Sequence, residues 1–190
     1  MGADQPQTTL IAPPAGPGHA AVVSIAVLSP DAYLRSPAEI VQINLSKGGV
    51  PKLPIGRAIV DELGIVGDKH RDGKHHGGPE RALCLYALEL IEALRSEGHP
   101  ILPGGAGENI TARGLDWSRL ARGRKLLLGE VIAEFTDWAT PCRNIAGCFQ
   151  GGLFKRTSHE LHPGWCRAYA RVLRGGVIAP GDRIAFAEME

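Results

Sequence analysis

The stretch Arg81–Gly98, with the sequence RALCLYALELIEALRSEG, changes its hydrophobic period part-way along. Its first six residues alternate between two faces, which predicts a β-strand. From Ala87 the apolar residues recur at helical spacing, and Gly98 supplies the residue type that commonly ends a helix. A strand that runs directly into a helix is therefore expected here. The strand has Ala82, Cys84 and Tyr86 on one face and Leu83 and Leu85 on the other, and the helix stripe is Leu88, Leu90, Ile91 and Leu94.

Short strand patterns occupy most of the remaining chain, and its 25 glycines and 14 prolines indicate frequent turns. Many short strands with few helices favour a mainly β fold, a closed or half-closed β-barrel, over a parallel α/β sheet. The segment Ala21–Leu28 is either a first strand or an element added to the main domain. The other predicted strands are Ile40–Leu45, Ala58–Leu63, Asn109–Ala112, Lys125–Leu128, Val131–Thr136, Arg171–Leu173 and Arg183–Ala187.

The length of 190 residues fits one domain preceded by an arm. Residues 1–20 are rich in proline and glycine and contain no Lys or Arg. Because a secretory signal needs a basic start and an uninterrupted apolar stretch, we predict instead a disordered N-terminal arm. Residues 21–190 are then expected to form a single domain.

The charge balance excludes some partners. Lys and Arg number 21 against 20 Asp and Glu, so bulk charge predicts neither a nucleic-acid partner nor a membrane surface. No segment approaches the roughly 18 apolar residues of a membrane span. The four cysteines lack the spacing of a secreted disulfide scaffold, which predicts reduced thiols and a cytoplasmic location.

Cys142 lies in the sequence Thr140-Pro141-Cys142-Arg143-Asn144. Pro141 stiffens the approach to the thiol, and the adjacent Arg143 favours the thiolate, which is the nucleophilic and metal-binding form. The alternative is a buried structural cysteine, since free cysteine is among the most buried residue types. The polar, basic surroundings favour a functional role.

The segment Gly67–Arg81 is basic and ends in a glycine pair. Gly77 and Gly78 expose backbone amides without a Cβ in the way, and Arg81 offers a two-pronged contact, so the loop is able to bind a phosphate group. A solvated loop is equally consistent with the composition. In that case its cations would pair with Asp68, Asp72 and Glu80, and the cationic or titratable residues concerned are Lys69, His70, Arg71, Lys74, His75, His76 and Arg81.

The tripeptide Gly107-Glu108-Asn109 places a carboxylate and an amide after a glycine corner. These groups suit the edge of a heterocycle that presents both donors and acceptors. A charged turn with no ligand is an equal alternative.

A zinc site is a minor alternative near the C-terminus. Zinc favours nitrogen and sulfur ligands, but the spacings here match no common structural zinc pattern and include no Cys-x-x-Cys pair. The residues concerned are Cys142, Cys148, His159, His162 and Cys166. The chain also contains no nucleotide-binding P-loop, no Gly-x-Ser-x-Gly elbow and no His-Glu-x-x-His helix.

Taken together, these motifs resemble those of the MOSC domain, the module named for the C-terminal part of molybdenum cofactor sulfurases. The resemblance runs from about Ile40 to Ala187, and it rests on the order of the fragments rather than on any one of them. The fragments are GGVPK at 48–52, GIVGDKH at 64–70, HGGPERA at 76–82, PGGAGENI at 103–110, PC at 141–142 and GGVIAPGD at 175–182.

The resemblance implies a β-barrel-like fold built around Cys142. In the family, the matching thiol ligates molybdenum in a pterin-bound cofactor or handles sulfur as a persulfide. By analogy, Lys52, Arg81 and the Gly77 and Gly78 amides would bind the cofactor phosphate, with Glu108 and Asn109 near the pterin. Asp68, His76 and Arg143 complete the expected cofactor-binding set.

Three functions remain open at this point. The first is a molybdenum cofactor protein that reduces N-hydroxylated or N-oxide compounds, a small-molecule substrate class, with electrons from a partner reductase. The second is a persulfide carrier that accepts sulfur from a cysteine desulfurase, because the chain is too short to include the pyridoxal-phosphate domain of the full sulfurases. The third is a binding module for a phosphorylated small molecule that performs no chemistry.

Overall fold

The computed structural model describes residues 38–69 and 77–187. The predicted arm over residues 1–20, the predicted element Ala21–Leu28 and the predicted site residue His76 lie outside these ranges.

The described residues form eleven strands, one α-helix and five short 3₁₀ helices. The α-helix, α1, is Leu88–Ser96. The 3₁₀ helices are Pro79–Arg81, Trp117–Arg119, Arg143–Cys148, Gln150–Gly152 and Phe154–Thr157. The strands are β1 Glu39–Leu45, β2 Leu53–Ile55, β3 Ala58–Asp61, β4 Gly64–Ile65, β5 Leu83–Ala87, β6 Ile110–Arg113, β7 Lys125–Leu128, β8 Val131–Ala139, β9 Arg167–Arg174, β10 Gly176–Ile178 and β11 Ile184–Phe186.

Eight of the strands form one mixed sheet in the order β11-β7-β8-β9-β5-β6-β1-β2, and β10, β3 and β4 form a smaller antiparallel sheet. Within the large sheet only β5 and β6 pair in parallel, and α1 connects them as a crossover connection requires. The mainly β prediction is confirmed. None of the helices in the described part of the chain is long and apolar enough to cross a membrane.

The two halves of the large sheet curl towards each other and meet at one point. Glu39 and Arg183 form an isolated bridge between the start of β1 and the start of β11. The Ile40 amide donates to the Asp182 carbonyl at 2.8 Å, and the Ile184 amide donates to the Ala38 carbonyl at 2.8 Å. Within residues 38–69 and 77–187 no continuous strand ladder closes the sheet, so a closed barrel is not found.

The core explains why β5 lies at the centre of the sheet. All five residues of β5 are buried, so both faces of the strand are covered. The strand therefore lacks the alternation of apolar and polar residues that is typical of a half-exposed strand. The helix α1 buries Leu88, Ile91 and Leu94, as its apolar stripe predicts. Gly98 follows the helix with a φ of +91°, a left-handed conformation that glycine adopts without a Cβ clash.

Several boundaries differ from the predictions. Strand β9 begins at Arg167, four residues before the predicted start at Arg171. The short strands β2, β4 and β10 fall in segments with turn or proline patterns, because two or three residues carry too little periodicity to identify a strand. Their partners in the sheet, rather than local sequence, determine their conformation.

A substitution in β4 tests the packing of the small sheet against β5. Gly64 has a φ of +113°, and a Cβ built there would collide with the Ala82 carbonyl oxygen. We expect Gly64→Ala to lower the free energy of unfolding in urea by about 3 kcal/mol or more, because backbone strain and overpacking add. Gly123 is the matched control, since its φ is +85° but no atom lies within 4 Å of its Cβ position. Gly123→Ala should lower the free energy of unfolding by only about 1–2 kcal/mol. Equal losses in the two variants would show that Gly64 is not packed closely against the Ala82 carbonyl.

Candidate functional site

A pocket opens where β5, β6 and β9 begin and where β1 and β8 end. Its volume is about 190 Å³, which is many times the roughly 10–15 Å³ that one water molecule needs. Four cationic side chains line it: Lys52, Lys69, Arg81 and Arg167. Of the described residues that line the pocket, none is acidic. The pocket therefore favours an anionic ligand.

Lys52 is held by a buried carboxylate behind the pocket wall. Its ammonium group forms an ion pair with Asp68, and the two side chains are 5% and 3% exposed. Asp68 also accepts from the Ser46 amide at 2.8 Å and from Asn109 Nδ2 at 2.9 Å. These contacts join the end of β1, the segment after β4 and the start of β6. They fix the position of the Lys52 side chain in the pocket.

Asn109 lines the pocket, but protein atoms engage both ends of its side-chain amide. Oδ1 accepts from the Cys84 amide at 3.3 Å, and Nδ2 donates to Asp68. Its backbone is also paired, since its amide donates to the Cys84 carbonyl at 2.7 Å. The described geometry assigns this side chain a role in tying β5 to the Asp68 contacts.

Glu108 lies behind the wall and is completely buried. Its Oε1 accepts from the Gly104 amide at 2.6 Å and from the Thr111 hydroxyl at 3.2 Å, whereas Oε2 has no hydrogen-bond partner among the described residues. Burial raises the pKa of the Glu108 carboxyl, although the Gly104 amide and the nearby Arg167 oppose the shift. The protonated form is thus favoured relative to an exposed glutamate.

Cys142 lines the pocket and is partly exposed. It has extended backbone angles and immediately precedes the 3₁₀ helix Arg143–Cys148. Arg143 is exposed and does not line the pocket, whereas Asn144 and Ile145 do. Proximity in sequence therefore does not bring Arg143 into the pocket beside the thiol.

Each of the other three cysteines is buried or donates a hydrogen bond to a backbone carbonyl. The Cys148 thiol donates to the Gly105 carbonyl at 2.9 Å, and the Cys166 thiol donates to the Ala139 carbonyl at 2.7 Å. Burial raises the pKa of the Cys166 thiol to about 11 and raises the pKa of Cys84 and Cys148 as well. Cys84 also lines the pocket, but it is buried.

Two residues of β9 enter the pocket and were not predicted as site residues. Arg167 and Tyr169 lie two positions apart on one face of the strand. The Arg81 guanidinium carbon lies 5.5 Å from the centre of the Tyr169 ring, and burial raises the pKa of the Tyr169 phenol to about 12. The available sequence signal was an arginine inside the apolar stretch Cys166–Ala170, where a strand core normally excludes charge.

The structure thus brings together Lys52, Gly77, Arg81, Asn109 and Cys142 of the predicted set. Asp68 and Glu108 lie behind the wall, and Gly78 and Arg143 lie outside the lining.

Among the residues that the structure describes, no three His, Cys, Asp or Glu side chains are arranged to hold a metal ion. The five residues weighed as zinc ligands all belong to the described ranges and do not form such a group.

The model of the MOSC domain family matches residues 72–185 of the chain. The chain belongs to the MOSC domain family. The match covers the glycine pair, β5 to β10, the first two residues of β11, and Cys142. It leaves out β1 and also Lys52, which the fold places in the pocket.

Two bacterial proteins are similar in sequence over about 140 residues. YflK of Bacillus subtilis strain 168 is 29% identical over 72% of this chain and 62% of its own length. YiiM of Escherichia coli K12 is 28% identical over 71% of this chain and 59% of its own length. The matched part of the MOSC chain therefore spans about three fifths of the length of these relatives.

Solved structures agree with the MOSC fold. The crystal structure of YiiM from Geobacillus stearothermophilus aligns with a TM-score of 0.61 at 26% identity, over 80% of this chain and 76% of that one. The YuaD protein of Bacillus subtilis aligns with a TM-score of 0.66 at 18% identity, over 80% and 97% of the two chains, which supports the fold alone.

Removing Asp68 tests the contacts that position Lys52. We expect Asp68→Ala to lower the free energy of unfolding by about 3–5 kcal/mol, because it leaves a buried ammonium without its counter-charge. Chemical denaturation monitored by tryptophan fluorescence would measure the loss.

Asp137→Ala is the matched control, because its ion pair with Arg122 is 64% and 77% exposed. It should cost less than about 1 kcal/mol. A similar small loss for Asp68→Ala would show that the buried pair does not organise this wall.

Proposed function

We propose that the pocket binds a molybdenum cofactor and that the Cys142 thiolate is a ligand of the molybdenum. One observation carries the proposal: a partly exposed thiol shares a pocket with four cations, and none of the described residues in the lining is a carboxylate. Membership of the MOSC family, which is associated with this cofactor, supports it.

The donor set fits an anionic, phosphate-bearing group. Lys52 and Arg81 are proposed to hold the phosphate, together with backbone amides of the lining glycines. Gly48, Gly49 and Gly77 all have positive φ values, and a Cβ at Gly48 or Gly49 would meet no atom within 4 Å. Such a glycine backbone lets a ligand approach its amides closely.

The choice of Cys142 among the four thiols follows from their surroundings. Thiolate is a soft ligand that suits a metal with sulfur-rich coordination. Cys148 and Cys166 donate to backbone carbonyls, and Cys84 is buried beside Arg167. Cys142 combines partial exposure with a place in the pocket lining.

The proposed reaction is the reduction of an N-hydroxylated or N-oxide compound. The N–O bond breaks, two electrons and two protons are taken up, and the oxygen leaves as water. The bound cofactor would supply the two-electron chemistry, while a partner reductase would supply the electrons. The residues of the chain hold the cofactor and orient the substrate beside it.

Transfer of sulfur is the second candidate, and the partial exposure of Cys142 favours it. A thiolate at this position is accessible to the persulfide of a cysteine desulfurase. Attack on the terminal sulfur would leave a persulfide on Cys142 and release the desulfurase thiolate, so no external oxidant is required.

Metal and pterin analysis tests the first candidate. The chain, Cys142→Ser and Cys148→Ser would be purified from a host that makes molybdopterin. We expect molybdenum and pterin in the wild type and in Cys148→Ser, which alters a thiol outside the pocket lining. We expect at least a tenfold loss of molybdenum in Cys142→Ser with a smaller loss of pterin, because the cations remain.

Two results would contradict the proposal. One is wild-type protein without molybdenum or pterin, and the other is Cys142→Ser with the wild-type molybdenum content. A gain of one sulfur on Cys142 after incubation with cysteine and a desulfurase, removed by reductant, would then favour the sulfur carrier. Pterin binding that does not depend on Cys142 would favour a module without chemistry.

A further inference from the structure

Arg167 is a buried cation whose donors are mostly unused by the residues that the structure describes. The residue is 7% exposed, and it lines the pocket. Its Nη1 donates to the Ala106 carbonyl at 2.5 Å and lies 4.0 Å from the Cys84 sulfur. A guanidinium has five N–H groups, and Nε and Nη2 have no hydrogen-bond acceptor in the described ranges.

Arg167 also lacks a direct ion-pair partner among the described residues, since none of their carboxylates lies within ion-pair distance of it. The nearby Glu108 carboxyl uses Oε1 to accept from Gly104 and Thr111, and burial disfavours its charged form. A buried guanidinium without a bound anion is costly, so this arrangement favours the binding of an anionic group.

The space beside Arg167 is kept open by a glycine. Gly107 has a φ of +85°, and a Cβ built there would lie 3.8 Å from Arg167 Nη1 and 2.8 Å from Val50 Cγ1. Any side chain at this position would therefore enter the room between Val50 and the guanidinium. Both residues line the pocket, so this room is continuous with the site.

Tyr169 and Cys142 line the same pocket as Arg167. Tyr169 lies two residues along β9, on the same face, and is paired across the sheet with Cys84. Burial raises the pKa of the Tyr169 phenol, and Tyr169 lines the pocket together with Arg167, Arg81 and Cys142. An anion bound at Arg167 would thus lie within the same small region as the Cys142 thiol.

We propose that Arg167 is the principal ligand of an oxyanion subsite on the inner wall of the pocket. Its planar fork matches a carboxylate or a phosphate-like group, with two parallel hydrogen bonds. The group belongs either to the substrate, which would then be an anionic N-oxygenated compound, or to the cofactor. The inference rests on the proposed function in taking this pocket as the ligand site, but it does not require molybdenum.

Binding of inorganic phosphate and of acetate to the full chain tests the subsite. Titration calorimetry at constant ionic strength would compare the wild type with Arg167→Met, Arg167→Lys and the control Arg174→Met, which alters an exposed arginine on the same strand. We expect affinity to fall about tenfold or more in Arg167→Met and about fivefold in Arg167→Lys, which keeps a charge but loses the fork. The control should stay within about twofold of wild type.

Wild-type affinity in Arg167→Met would overturn the inference. If circular dichroism shows that this variant does not fold, Arg167→Lys decides, and unchanged phosphate and acetate affinity there would overturn it equally. Repeating the titration on cofactor-loaded protein identifies the source of the anion. Retained binding assigns the subsite to substrate, and lost binding assigns it to the cofactor.

The proposed function fails separately. If the purified protein contains no molybdenum but still binds phosphate through Arg167, the proposed cofactor is rejected and the oxyanion subsite stands. If the protein binds molybdenum through Cys142 but binds oxyanions independently of Arg167, the subsite is rejected and the proposed cofactor stands.

Discussion

The buried ion pair between Lys52 and Asp68 is the contact on which the pocket depends. Asp68 accepts hydrogen bonds from Lys52, from Asn109 and from the Ser46 amide, so one carboxylate joins three segments that are distant in sequence. Removing this carboxylate would leave a buried ammonium group and buried N–H groups without their partner in a low-dielectric interior, which is destabilising. The pocket wall is therefore held in place before any ligand arrives, and this limits the ordering cost of binding.

Charge is divided across this wall. The carboxylates Asp68 and Glu108 lie behind it, whereas the side chains of the described lining residues are cationic or neutral. The net formal charge of +1 gives no sign of this arrangement. The positive potential of the pocket arises from where the cationic side chains lie and not from the overall composition. Salt screens this potential, so it attracts anions only at short range.

Periodic segments were predictable from sequence, and the site was predictable in part. Strand β7 and helix α1 agree closely with their patterns, because each buries a regular apolar stripe. The resemblance also located Lys52, Arg81 and Cys142, which share the pocket. The sequence could not show that Arg81 lines the pocket and that Arg143 does not. That difference depends on how the chain enters β5 and how the 3₁₀ helix after Cys142 is oriented.

The remaining differences arise from tertiary packing. The apolar neighbours of Arg167 were the only local sign that separates it from Arg174 at the other end of β9, and they do not predict that Arg167 lines a pocket, because the assembled sheet places it there. Asn109 has the amide expected of a ligand-binding residue, yet Asp68 and the Cys84 backbone engage both ends of it. Such pairings become visible only when β5, β6 and the Asp68 segment are assembled.

Anomalous diffraction at the molybdenum absorption edge, from crystals of cofactor-loaded wild-type protein, tests the central claim most directly. The account predicts one anomalous peak in the pocket, bonded to the Cys142 sulfur and bordered by Lys52 and Arg81. A molybdenum peak at another sulfur, or at a place away from these cations, would contradict it.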